Sequence, residues 1–419
     1  MKKVEGAAQW VAPSAANISA LSIKIKPMTH TPFLRTFSTL LLFAVITATC
    51  APAATPQPTP DMDAALTQAV ATIFAGATQT AGYVPPITET PAPTATITPD
   101  PNRTPPALPD GFSTTLLNPL DTPHTYVSDS CQALKAKWDP NNAVPGTVLM
   151  PIMFHSITKG AVTAADQINL SDFRKMMNDL HEMGFEAVTM QQAADFLYNN
   201  AKIPQRSVLL IVDDRKYREY FDKTFKNFYD DWGWKVVNAW ISHPDTNQQL
   251  WDENAAIEAE GWVDHQAHGV IHNINMSDNS SDEFLKGELQ GSIDAMQAHF
   301  NKTPVAIIWP GGDFGKRPTD AARQYGFKLG FTINPRGPIM YNWVPLTDGA
   351  DPARPSYIPD GPIGDPLMTL PRYWDTDARA HIDTVRSIGE EATAYAEQNK
   401  AIELEYYDIV CAPTYGAIP

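Results

Sequence analysis

At 419 residues the chain is longer than one ordinary domain without requiring two, since α/β barrels use about 200–250 residues or more. Hydrophobic residues make up 43% and aromatics 10%, enough for a sizeable core, while 37 prolines and only 19% charged residues indicate a globular part joined to a proline-rich part. The formal net charge of −16 argues against nucleic acid or an anionic membrane surface as partner, because both reward Lys/Arg patches, and leaves a neutral glycan or a metal cation as compatible ligands.

Near the N-terminus Arg35 precedes an apolar run, Leu40-Leu41-Leu42-Phe43-Ala44-Val45-Ile46, then small residues and Cys50. A short apolar stretch behind a positive charge reads as an export signal rather than a spanning helix, which needs about 20 apolar residues. Thr47-Ala48-Thr49-Cys50 resembles a lipoprotein cleavage box, with Thr49 where such boxes prefer Gly, Ala or Ser. Residues 1–50 are therefore expected to be a leader. Cys50 becomes the lipidated anchor, the alternative being simple secretion, and the location is extracellular or at the cell envelope. Residues 1–27 fit no signal scheme, whereas Met28 to Cys50 has the right length and order, which makes Met28 a candidate start.

Residues 51–125 are dominated by Pro, Thr and Ala and bury too little apolar surface to offset chain entropy; they are expected to be a disordered stalk. One Ala-rich interruption, from Asp61 to Ala81, has helical spacing (Leu66, Val70, Ile73). From about residue 126 to 419 the character changes. Apolar runs Val148–Phe154, Ala187–Met190, Ser207–Val212, Val236–Ile241, Trp262–Gln266, Val305–Trp309 and Leu329–Ile333 alternate with amphipathic segments such as Leu170–Gly184, closed by Gly184, and Asp282–Phe300. Repeated strand–helix alternation means a parallel sheet, open or closed into a barrel. In such folds the chemistry lies at the C-terminal strand ends.

The polar residues follow that rule. His155 follows the first run, Asp213 and Asp214 follow Leu209-Leu210-Ile211-Val212, His268 and His272 follow Trp262–Gln266, and Pro310-Gly311-Gly312 follows Ile307-Ile308-Trp309. Adjacent aspartates at a strand end point different ways, so one can bind a cation while the other serves as a base. Two histidines four apart can meet on one side of a turn and ligate one metal ion; with an aspartate from another strand they leave a position open, as hydrolytic zinc sites do. Cys131 and Cys411 stand near the two ends of this region and either form a disulfide or remain two buried thiols.

Taken in order, Phe154-His155-Ser156, Val212-Asp213-Asp214, His268-x-x-x-His272, Trp309-Pro310-Gly311-Gly312 and Leu370-Pro371-Arg372 resemble the polysaccharide deacetylase family, carbohydrate esterase family 4 with its NodB-homology domain, over roughly residues 148–374. The resemblance implies an α/β fold, a distorted (β/α)7-type barrel, carrying a divalent cation, usually Zn2+ and otherwise Co2+ or Ni2+. It implies a hydrolase that removes N-acetyl groups from an N-acetylglucosamine-containing polysaccharide. Carried over by position, Asp213 is the general base, Asp214, His268 and His272 are the metal ligands, the backbone near Gly311 holds the oxyanion, His155 lines the site and Arg372 pairs with Asp213.

The departures are local. Val212 and Arg215 flank the aspartates where the family has Phe and Gly, and Gly269 stands where it has Ser or Thr. No late Leu-x-His supplies a general acid, which leaves His155, His381 or no residue for that part. These departures motivate a second reading, a degenerate relative that binds glycan without turnover. Trp232, Trp234 and Trp240 read as packing and His243 and His299 as solvated. Trp309 and Trp374 are candidates to stack on sugar, and Asp264 and His265 candidates to support the metal-binding histidines.

Overall fold

Both faces of the central sheet are buried, which is why its strands read as unbroken apolar runs rather than alternating ones. The computed structural model describes residues 103–271, 274–347, 351–352, 359 and 361–419, all within a unit spanning residues 95–419. The leader, Cys50, the 61–81 segment and His272 lie outside the described residues. The strands, in chain order, are β1 (Thr122–His124), β2 (Val148–Phe154), β3 (Ser156–Thr158), β4 (Gln167–Asn169), β5 (Glu186–Ala187), β6 (Arg206–Asp213), β7 (Val236–Trp240), β8 (Val263–Ala267), β9 (Ala306–Ile308), β10 (Leu329–Phe331), β11 (Val344–Leu346) and β12 (Tyr373–Trp374).

The main sheet runs β10-β9-β8-β7-β6-β2-β12, with β5 on β6, and all its pairs are parallel. Alternate residues of each strand serve different cores. Val148, Met150, Ile152 and Phe154 of β2, with Val208, Leu210 and Val212 of β6, pack under the helices Leu170–Glu182 and Asp375–Tyr406. Leu149, Leu209, Ile211, Val237 and Ile308 pack with Leu329, Phe331, Ile339 and Leu370 in a second cluster.

The sheet returns on itself through one segment. Leu370 bridges Phe331, with Thr332 N–H donating to Leu370 O (2.9 Å) and Leu370 N–H to Gly330 O (2.8 Å). Three residues later Tyr373 and Trp374 pair with Ile152 and Met153. The stretch 370–374 thus links the β10 edge to β2 across the mouth of a curled, half-barrel sheet. It also delivers Arg372 between the two edges.

The expected elements are mostly present, and Asp282–Phe300 forms a helix over its whole length. Leu170–Glu182 ends just before Gly184, whose φ of +76° is the left-handed turn that stops it. One run differs: the strand is Glu186–Ala187, so of the segment expected as Ala187–Met190 only Ala187 is strand. Thr189 accepts from Gln192 N–H and the Gln192 side chain returns to Thr189 N–H, a capping box that starts helix Met190–Asn199 instead.

The stalk was expected to reach residue 125, yet the chain is packed before that point. Phe112 lies 5.7 Å from Trp343, ring centre to ring centre, and β1 pairs antiparallel with β11. Average composition concealed these few apolar anchors. Among the described residues no helix is long and apolar enough to cross a membrane.

Cys131 and Cys411 form a disulfide with Cα atoms 5.2 Å apart, closing a separation of 280 residues. Cys411 is fully buried against Leu134 and Tyr407. Replacing both cysteines by serine is expected to lower the unfolding free energy by about 3–5 kcal/mol, chiefly by freeing the unfolded chain. Urea denaturation of the oxidised protein against the double variant checks this; equal midpoints would contradict it.

Candidate active site

The strand β6 ends by burying Asp213, 1% exposed, and turning Asp214 into a left-handed conformation with φ +70°. Short polar residues tolerate this region better than bulky ones, yet it needs support. The support is Asn238, fully buried in the middle of β7, whose Nδ2 donates to Val212 O (3.0 Å) and Asp214 O (2.9 Å).

Asp213 faces two cationic groups from other strands. Arg372, fully buried, donates through Nη1 to Asp213 Oδ1 (2.6 Å) and through Nε to Thr332 O (2.7 Å), which fixes the guanidinium between β10 and β6. His155, directly after β2, places Nε2 3.4 Å from Asp213 Oδ2. Its ring stacks on Trp374 at 5.8 Å and 21°, and the Trp374 indole donates to Ile333 O (3.1 Å). Burial pushes the Asp213 carboxyl up, but Arg372, with His155 and His268 nearby, outweighs burial and brings it down to about 2.

On the other side stands His268, directly after β8. Its Nδ1 donates to Ile308 O (2.8 Å), so the Nε2 lone pair faces outward, 3.9 Å from Asp214 Oδ1. That separation is too long for a hydrogen bond and suits two donors sharing one cation, each at about 2.0–2.2 Å. A backbone carbonyl accepting from the other ring N–H is also a usual outer partner of a metal-binding histidine. The donor set therefore fits a divalent cation through Asp214 and His268, although His272 lies outside the described residues. Among the described residues no group of three His, Cys, Asp or Glu is gathered for a metal.

Two of the departures, Gly269 and Arg215, have local causes. Gly269 has φ +75°, and a Cβ there would lie 2.6 Å from Glu288 Oε2 and 3.0 Å from Pro310 Cγ. The Glu288 carboxylate, 1% exposed on helix Asp282–Phe300, accepts from Val270 N–H (2.7 Å) and Ile271 N–H (3.1 Å), so glycine is required. Arg215 does not crowd the site. Its Nη1 reaches away to Asp245 Oδ1 (3.0 Å) and Thr246 Oγ1 (2.8 Å) in the loop after β7.

Several expectations need correction. His265 and Asp264 do not support His268. His265 lies 2.8 Å from Glu258 and 2.9 Å from Asn254 on helix Gln248–Glu260, and Asp264 pairs with Lys302. Alternation turns His265 to the opposite face of β8 from His268, and Asp264, although of the same parity as His268, is taken up by Lys302 and the Gln266 side chain. Trp309 is fully buried, donates to Met368 O (2.8 Å) and presents no sugar platform. Of the general-acid candidates, His381 is bound to Asp377 on its own helix (2.9 Å), leaving His155 beside Asp213. Gly311 occupies the turn after β9, exposed and left-handed (φ +63°), with Asn275 over it.

Sequence reasoning missed Asn238 and Glu288. Each carried a signal: an asparagine inside Val236–Trp240, and a glutamate on the apolar face that contains Leu285, Leu289, Ile293 and Met296. It also missed Asp375, which follows β12 and is 2% exposed, with no hydrogen-bond partner for Oδ2 among the described residues. Burial, then the nearby Asp166 and Asp213 carboxylates, push its carboxyl from 3.8 to about 7. Because the folded state holds this proton more tightly than the unfolded chain, the contribution is complete below about pH 4 and is lost as pH rises through about 7. At about 1.4 kcal/mol per pH unit the loss is at most about 4 kcal/mol. Asp375→Asn is expected to raise the melting temperature at pH 8 by a few degrees relative to wild type and to change it little at pH 4; an equal shift at both would contradict this assignment.

Comparison with known proteins bears on the same region. Residues 200–330 match the family model described as polysaccharide deacetylase. A Bacillus subtilis (strain 168) protein, YxkH, provisionally described as a polysaccharide deacetylase, is 22% identical over 186 residues, 44% of this chain and 64% of its own length. Solved structures with similarity include the deacetylase PplD of Streptococcus pyogenes, in complex with acetate (19% identity, TM-score 0.43, covering 54% of this chain and 92% of PplD). Another is IcaB from Ammonifex degensii (16% identity, TM-score 0.43, covering 59% and 100%). In its ordered motifs and over residues 200–330, the chain is similar to the polysaccharide deacetylase family.

Proposed function

We propose that the chain is a metal-dependent N-deacetylase that hydrolyses acetamide groups of an N-acetylglucosamine-containing polysaccharide outside the cell or at its envelope, held there through lipidated Cys50. The observation that carries this reading is the buried Arg372–Asp213 pair beside Asp214 and His268 at one end of the barrel. A base and a cation site lie next to each other, supplied by strands far apart in sequence.

Asp214 and His268, with His272 as the third ligand, would hold a divalent cation, which supplies Lewis-acid polarisation of a carbonyl and eases deprotonation of a water molecule. Asp213 is held ionised by Arg372 and is the group able to take the proton as water adds to the amide carbon. The tetrahedral oxygen would be met by backbone N–H near Gly311, a contribution of about 3–4 kcal/mol where such donors are well placed. His155, a quarter exposed and stacked on Trp374, is placed to pass a proton to the departing amine as the C–N bond breaks, giving acetate and a free amino sugar. Trp374, partly exposed beside His155, is the aromatic face available to a sugar ring.

The rival reading, a glycan-binding relative without turnover, rested on Arg215, Gly269 and the missing late histidine. Arg215 and Gly269 each have a local geometric reason, and His155 beside Asp213 is the candidate for the part of the missing histidine, which weakens that motive.

The experiment is a substrate comparison. Acetate and new amine are measured with N-acetylglucosamine oligomers and, separately, with an O-acetylated glycan. Release from the amide is expected; release from the ester alone would overturn the N-deacetylase reading, and release from neither would favour the binding one.

A further inference from the structure

The loop after β7, Ser242–Thr246, supplies no ligand to the proposed cation site, yet it is bonded to both turns that do. On one side Arg215, next to Asp214, donates from Nη1 to Asp245 Oδ1 (3.0 Å) and Thr246 Oγ1 (2.8 Å). On the other, Ser242 N–H donates to Gly269 O (3.0 Å) and His268 N–H to Trp240 O (2.9 Å). The loop is itself braced, since Thr246 Oγ1 donates to His243 O (2.7 Å) and Thr246 N–H to the same oxygen (3.0 Å). The turn bearing Arg215 is also gripped from behind: Asn254 Nδ2 donates to Lys216 O (3.0 Å), and Arg218 N–H to Glu253 (3.2 Å).

We infer that Arg215 is a positioning residue, clamping the Asp214 turn to the loop that also carries the His268 turn and so setting the spacing of the two metal ligands. The inference rests on the metal-site reading above. A glycine at this place would allow the tight turn by conformational freedom; here the left-handed residue is Asp214 itself, and side-chain bonds from Arg215 and Asn238 hold it there.

The energetics say where the effect should appear. Asp245 is two-thirds exposed and Arg215 one-quarter, so their pairing adds little to global stability. Outer partners of a metal site, by contrast, typically change metal affinity by about 10–100-fold. Both contacts come from one nitrogen, so an ammonium with three donors can replace them, and lysine should rescue where alanine and glycine do not.

The test titrates Co2+ alone into the metal-free protein, following its visible absorption, for wild type, Arg215→Ala, Arg215→Gly, Arg215→Lys and His268→Ala. The expected result is Co2+ binding in wild type that is lost in His268→Ala. Arg215→Ala and Arg215→Gly should bind at least about tenfold more weakly with an altered absorption band. Arg215→Lys should stay close to wild type, and the metal-free melting temperature should be nearly constant across the Arg215 series. Unchanged affinity and spectrum in Arg215→Ala, or tighter binding in Arg215→Gly, would overturn the inference while leaving the metal site standing. No Co2+ binding in wild type, or binding indifferent to His268→Ala, would overturn both.

Discussion

Asp213→Asn is expected to lower acetate release by about 10²–10⁴-fold, the range a positioned general base contributes. Asparagine keeps the shape of the side chain and can still accept from Arg372 Nη1, so the fold should survive. It cannot take a proton. The substitution also leaves Arg372, fully buried, opposite a neutral group. A modest loss of stability therefore accompanies the loss of turnover, and metal binding through Asp214 and His268 should persist. Rates measured at equal metal loading separate the two effects. A variant that retains more than about a tenth of wild-type activity would remove Asp213 from the role of base.

Arg372 carries the second large effect. Its guanidinium lies between Thr332 O and Asp213 Oδ1, and nothing else holds the Asp213 carboxylate below its ordinary range as directly. Arg372→Met fills similar space but leaves a carboxylate buried without its cation. Breaking a buried pair by removing one partner costs about 3–5 kcal/mol, far more than an exposed pair would. The carboxyl would then rise, because burial is the largest influence on it and would go unopposed apart from His155 and His268. The variant should unfold at markedly lower urea concentration and need a higher pH for activity than wild type. The double variant Arg372→Met with Asp213→Asn should regain part of the lost stability, since no uncompensated charge remains. A double variant less stable than wild type by the sum of the two single losses would mean the pair is not coupled.

How much of this was legible beforehand depended on the kind of signal. Fully buried strands such as β2 and β6 announce themselves as apolar runs bounded by polar residues, and the Asp282–Phe300 helix by its spacing. The helix Asp375–Tyr406 was equally readable, with Ala378, Ile382, Val385, Ile388, Ala392 and Ala396 at helical intervals, but many of these are alanines and they follow the last motif. The pairing of β1 with β11 was not readable, because each is three residues long and contains a proline. β12 was hidden for a similar reason: two residues carry no periodicity, and only the fold shows that 370–374 links the two sheet edges and brings Arg372 to Asp213.

The site divided along the same line. Asp213, Asp214, His155 and His268 each follow an apolar run, so strand ends located them. Their support did not show in spacing. Asn238 and Glu288 act through backbone oxygens and N–H groups on neighbouring elements, and Arg215 through the side chains of Asp245 and Thr246, and no one-dimensional pattern records those. The same blindness made His265 look like a companion of His268. Three residues apart along a strand and the turn after it, the two face opposite sides of the sheet.

The central claim is that a cation at Asp214 and His268 works with Asp213 on an acetamide. It is tested most directly by acetate release from N-acetylglucosamine oligomers by the purified protein, before chelation, after chelation, and after Zn2+ is restored. The account predicts release that stops on chelation and returns with Zn2+. Release that continues at full rate in metal-free protein would contradict it.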